Sequence, residues 1–125
     1  MTTLLLIDEE VNTRLLYKDE FQEEGYEVTV AETIEEAMEK IHRSKPDIIT
    51  LDIKMPGADG LEFLRKIKER ESDIPIVIFS AYAGYKKDFH IGVCDAFVVQ
   101  SADLTELKAI IKRILRHKKS NLILH

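Results

Sequence analysis

Asp47 to Leu64 reads DIITLDIKMPGADGLEFL. The apolar run Ile48 to Leu51 has the length and β-branched content of a buried strand. A single carboxylate, Asp52, stands at the carboxyl end of that run. Pro56, Gly57 and Gly60 force a loop, and Asp59 followed by Glu62 predicts a capping box opening the next helix. Open parallel sheets bind ligands outside the carboxyl ends of their strands. An acid at that point is placed to do chemistry, although alone it would more often just cap a loop.

Upstream, Leu4 to Ile7 is a short apolar strand that runs into Asp8, Glu9 and Glu10. A helix follows to Glu24, with Val11, Leu15, Leu16, Tyr17 and Phe21 as its apolar members, and Gly25 closes it. Glu27 to Ala31 alternates like a strand. Thr33 and Glu36 form a capping box, with Ile34, Ala37, Met38 and Ile41 at helical spacing behind it.

Downstream, Leu61, Leu64 and Ile67 line a helix reaching about Glu71, and Ile76 to Phe79 is a strand ending at Ser80. A short helix is expected near Tyr85 to Ile91. Ala96 to Val99 is the fifth strand, ending at Gln100. Asp103 and Glu106 predict a third capping box, with Leu104, Leu107, Ile111 and Ile114 on one helical stripe. Arg113, Arg116, His117, Lys118 and Lys119 are expected in the last turn, where cations suit the helix dipole. Asn121 to His125 is expected to fray.

Five strands alternating with five helices predict an α/β protein with helices on both faces of a parallel sheet. Right-handed crossovers favour a flavodoxin-like, doubly wound (βα)5 sheet of strand order 2-1-3-4-5. One domain is expected over residues 1–119, with a short tail at 120–125. The 125 residues carry a net charge of -5, with 45% hydrophobic and 33% charged residues. No basic stripe suggests nucleic acid, and no apolar run is long enough for a signal peptide core or a membrane span. A lone cysteine, Cys94, excludes an internal disulfide and fits a reducing cytoplasm. His42, His90, His117 and His125 show no metal-ligand spacing.

That strand order makes strands 1, 3, 4 and 5 neighbours, so Asp8, Glu9, Asp52, Ser80 and Gln100 converge on one rim. Clustered carboxylates repel unless a cation joins them. Hard oxygen ligands left open to water suit Mg²⁺, and a carboxylate can serve as a nucleophile that forms an aspartyl-phosphate.

The strings LLLIDEE, LDIKMPGADG, IVIFSAY and DAFVVQSADLTEL, in that order over nearly the whole chain, resemble the receiver domain of two-component response regulators. The resemblance implies that Asp52 is the phosphoacceptor. It implies Asp8, Glu9, Asp52 and the Lys54 backbone carbonyl around Mg²⁺, Ser80 on the phosphoryl group, and Phe97 at the aromatic switch position. It also implies a histidine kinase or phosphotransfer protein as donor and a further downstream protein as target, with no metabolic activity. Gln100 departs from the pattern. It falls where the family has a lysine, normally followed by proline, and here Ser101 follows. An amide can donate a hydrogen bond to a phosphoryl oxygen but cannot neutralise its charge. The rival to a phosphorylated switch is therefore a pseudo-receiver adaptor that signals by constitutive binding. A flavin protein or an aspartyl-nucleophile hydrolase ranks below both: the first loop carries acids instead of the phosphate cradle a flavin nucleotide needs, and no sequence feature points to a hydrolase's substrate pocket.

Overall fold

The computed structural model describes residues 1–53, 58–71, 73–80, 94–101 and 103–124. Five strands, β1 (Thr3–Ile7), β2 (Glu27–Ala31), β3 (Ile48–Ile53), β4 (Ile76–Ser80) and β5 (Ala96–Val99), pair in parallel in the order β2-β1-β3-β4-β5. Four helices are present among the described residues: α1 (Val11–Glu23), α2 (Ile34–Arg43), α3 (Ala58–Arg70) and α4 (Thr105–Leu124). The helix expected at Tyr85 to Ile91 lies outside the described residues.

Strand alternation divides the core in two. Leu5, Ile7, Ile49, Leu51, Ile76 and Ile78 point to one face, where they meet Ala37 and Ile41 of α2 and Phe63, Leu64 and Ile67 of α3. Leu4, Leu6, Ile48, Val77, Phe79 and Val98 point to the other, under Tyr17 and Phe21 of α1 and Leu107 and Ile111 of α4. β1, β3 and β4 are covered on both sides, which is why their sequences are near-continuous apolar runs.

Local signals account for several element ends. Thr33 Oγ1 accepts from Glu36 N at 3.1 Å, as the capping box requires, while the Glu36 carboxylate turns to Lys40 at 3.3 Å. Thr33→Ala is expected to cost about 1 kcal/mol, and thermal unfolding should show a melting temperature lower by about 3–5 °C. Gly25, at φ 96°, takes the left-handed conformation that ends α1.

Three expectations are corrected. α3 already includes Ala58, so Asp59 lies inside the first turn and not at the cap. Asp103 Oδ1 accepts from Thr105 N at 2.9 Å, closing a tight turn ahead of α4 instead of a box with Glu106. α4 runs through Leu124, past the point where fraying was expected, so its cations do not occupy the last turn. Several instead tie α4 to its surroundings. Lys108 meets Glu20 at 3.1 Å, Lys112 meets Glu24 at 3.2 Å, and Lys118 Nζ donates to the Asp47 carbonyl at 3.3 Å.

The untidy periodicity of α1 also has an explanation. Only Tyr17 and Phe21, one turn apart, are buried, whereas Val11, Leu15 and Leu16 are more than half exposed. Cys94 is buried as a small apolar side chain, and burial pushes its thiol pKa up to about 11.

Candidate functional site at the carboxyl rim of the sheet

The parallel register of β1 and β3 pairs Ile7 with Leu51, so Asp8 and Asp52 are the next positions on adjacent strands. Neighbouring strands lie about 4.8 Å apart. Alternation turns both carboxylates away from the α2–α3 face, toward α1. Asp8 is 1% exposed and Asp52 6%. Two acids buried side by side are costly, because low dielectric strengthens their repulsion.

The backbone around Asp8 is firmly held. Its N–H donates to the Ala31 carbonyl at 3.0 Å, extending the β1–β2 ladder by one step. Its own carbonyl accepts from Arg14 Nη1 at 2.8 Å, and its Oδ1 accepts from Glu10 N at 3.0 Å. The start of α1 thus fixes the Asp8 carboxylate. Glu9, the next residue, is exposed.

Asp52 pairs with Phe79 of β4, and Ile53 with Ser80. Ser80 is fully buried and has the opposite parity to Phe79, so it belongs to the rim by ending its strand. Its carbonyl accepts from Gln100 N at 2.6 Å, which draws the end of β5 against β4. Gln100 Nε2 in turn donates to the Tyr17 hydroxyl at 2.6 Å. Tyr17 is 5% exposed, and its ring lies 5.2 Å from that of Phe79 and 6.5 Å from that of Phe21. Phe97 is half-buried and packs against the α2–α3 side of the core.

The expected residues Asp8, Asp52, Ser80 and Gln100 therefore meet at one rim, with Glu9 at its solvent side. Lys54 lies outside the described residues. Two residues went unread in the sequence. No motif marks Arg14, and helical spacing marks Tyr17 only as an apolar member of α1. The hint for Tyr17 was a phenol at a position of the helix that packs inward, since a buried hydroxyl needs a partner.

No group of three or more His, Cys, Asp or Glu among the described residues is arranged to hold a metal. Mg²⁺ does not need one, since it commonly binds through one or two carboxylates and otherwise keeps water. Asp8 and Asp52, hard oxygen donors on adjacent strands, meet that requirement.

Comparison with known proteins bears on this geometry. The sequence pattern of the response regulator receiver domain matches residues 4–117. The chain is 30% identical over 115 residues to regulatory protein AtoC of Escherichia coli, covering 90% of this chain and 25% of AtoC. It is 28% identical over 120 residues to sporulation initiation phosphotransferase F of Bacillus subtilis, covering 94% of this chain and 96% of that protein. It spans about half the length of several transcriptional regulators it matches. Among solved structures, the response regulator TrrA of Thermotoga maritima, in complex with Mg²⁺ and BeF, is 41% identical with a TM-score of 0.83. The match covers 90% of this chain and 98% of that one. A second TrrA structure, in complex with the histidine kinase ThkA, superposes with a TM-score of 0.82 over 92% of this chain and 99% of that one.

Proposed function

This chain belongs to the response regulator receiver domain family, and we propose that Asp52 is its phosphoacceptor in a phosphorylation-driven switch. The observation that carries the proposal is the burial of Asp52 beside Asp8 at the open end of a parallel sheet. Ligands of open parallel sheets bind outside the carboxyl ends of the strands, so an acid pair there is placed for chemistry. The TrrA complex with Mg²⁺ and BeF supports the reading.

In this mechanism a carboxylate oxygen of Asp52 bonds to phosphorus as the phosphorus–nitrogen bond of a donor phosphohistidine breaks. The electron pair returns to the imidazole nitrogen. Burial keeps Asp52 poorly hydrated and so limits the reorganisation that attack requires. Asp8, fixed by Glu10 N and Arg14, would hold Mg²⁺ together with Asp52, with Glu9 and the Lys54 carbonyl completing the protein's share. Bound there, Mg²⁺ would supply the charge neutralisation that phosphoryl transfer needs. The Ser80 hydroxyl would donate to a phosphoryl oxygen. Gln100 would contribute at most a neutral amide, and Phe97 stands at the switch position.

The donor would be a histidine kinase, as the TrrA–ThkA complex suggests, or a phosphotransfer protein, and the exchange would take place in the cytoplasm. α1 offers a docking face for it. Val11, Leu15 and Leu16 are 52%, 57% and 58% exposed on the helix that starts directly after the acidic loop. Three large apolar side chains so close to the rim suit a partner that must bring its own phosphorylated residue to Asp52. Leu15→Glu is expected to slow phosphotransfer from a kinase donor about ten-fold, in the range of a single interface anchor. A small phosphodonor should still label Asp52 in that variant.

The direct test is incubation with Mg²⁺ and a small phosphodonor, followed by intact-mass measurement. One phosphoryl group per chain is expected. Gln100 favours a second reading, the pseudo-receiver adaptor, since position 100 carries a neutral amide where the family pattern has a lysine. Absence of any adduct would replace the first reading with the second.

A further inference from the structure

The Gln100 amide is already engaged, and its partner lies on a different element. Tyr17 and Gln100 are 83 residues apart in sequence, yet Nε2 and the phenolic oxygen stand 2.6 Å apart in a part-buried setting. Both ends are rigidly presented. The Gln100 backbone is pinned by its 2.6 Å bond to the Ser80 carbonyl, and the Tyr17 ring is wedged against Phe79 and Phe21. Phe79 is the residue paired with Asp52, so Tyr17 covers the strand that flanks the acceptor. Phenylalanine at 17 would fill the same apolar space. What the hydroxyl adds is a partner for the amide at position 100.

We propose that Tyr17 is a positioning residue that holds the Gln100 amide on α1 and away from an acyl phosphate at Asp52. This rests on Asp52 being the phosphoacceptor. An amide Nε2 has two N–H donors, and the one committed to Tyr17 sets the direction of the group. Contact with the phosphorylated state then requires the amide to exchange the phenol for a phosphoryl oxygen. The bond makes occupancy of Asp52 felt at α1, the helix that also carries the exposed Val11, Leu15 and Leu16. A lysine in this position would reach the phosphoryl group with its own charge; the neutral pair instead links the rim to α1.

The test is a double-mutant cycle on Tyr17→Phe and Gln100→Leu, read as beryllofluoride affinity at saturating Mg²⁺. Releasing the amide should make Tyr17→Phe bind the adduct about five-fold more tightly than wild type, the scale of one neutral hydrogen bond. In the Gln100→Leu background the same change should have no effect, which a merely structural role for the hydroxyl would not produce. In wild type, the Gln100 side-chain amide resonances should shift when the adduct forms. Thermal melts confirm that each variant is folded, and Tyr17→Phe keeps every ring contact. Equal adduct affinities for wild type and Tyr17→Phe, or the same gain with and without Gln100, overturn the proposal alone. Failure of wild type and all variants to form any adduct overturns the phosphoacceptor reading, and this proposal with it.

Discussion

Asp52→Ala is expected to take up no phosphoryl group and, in metal-free buffer, to melt about 5–10 °C above wild type. The two effects share one cause. Asp8 and Asp52 are next in register on adjacent strands and more than nine-tenths buried, so their like charges are held close together at a dry rim. Removing one acid relieves the repulsion between two like charges at a buried rim, a gain on the order of 1–2 kcal/mol. In a domain of this size that gain moves the melting temperature by several degrees. Asp52→Asn keeps the side-chain volume, so it separates lost charge from any cavity left by alanine, and it should melt higher too. Mg²⁺ should act in the opposite pattern. Linkage raises wild type by about 2.7 kcal/mol at a hundred times the dissociation constant, while Asp52→Ala should respond far less. Phosphodonor labelling with intact-mass readout and melts with chelator or Mg²⁺ check all three. A phosphoryl adduct that survives Asp52→Ala would move the acceptor elsewhere. A wild-type melt indifferent to saturating Mg²⁺ would remove the metal site.

Much of this site is legible in the sequence because parallel sheets translate order into place. Once Ile48 to Leu51 is a buried strand and the strand order is 2-1-3-4-5, the residues after each strand must share a rim. Asp8, Asp52, Ser80 and Gln100 followed from that alone. Burial of individual helix faces was harder to read. Val11, Leu15 and Leu16 look like core residues by composition, but α1 buries only Tyr17 and Phe21, leaving the others to solvent. Helix ends were read well where one side chain decides them, as Thr33 does. They were misread at Asp59, because a capping-box spelling does not fix which residue sits outside the helix. Beyond a phenol at an inward-packing position of α1, nothing local marks the Tyr17–Gln100 contact. No periodicity links residues 83 apart, and only the packed α1–β5 arrangement brings them together.

Gln100→Lys is expected to move the two ligands of the rim in opposite directions. In the unphosphorylated protein a lysine adds a positive charge beside Asp8 and Asp52 and competes with a cation for the same field. Mg²⁺ affinity should therefore fall. Once the acceptor carries a tetrahedral anion, the same ammonium can pair with one of its oxygens. A charge-assisted hydrogen bond of that kind contributes about 1.5–3 kcal/mol, or roughly ten- to a hundred-fold in affinity for beryllofluoride at saturating Mg²⁺. The gain should exceed that of Tyr17→Phe, which frees only a neutral donor. The Gln100 backbone bond to Ser80 keeps position 100 at the rim, and the lysine chain is long enough to leave the phenol behind. Titrations with Mg²⁺ and then with beryllofluoride, on wild type and Gln100→Lys, measure both directions. If neither affinity changes, the side chain at position 100 does not address Asp52. If adduct affinity rises while kinase docking and target binding ignore the difference, the chain acts as an adaptor whose rim has lost its link to output.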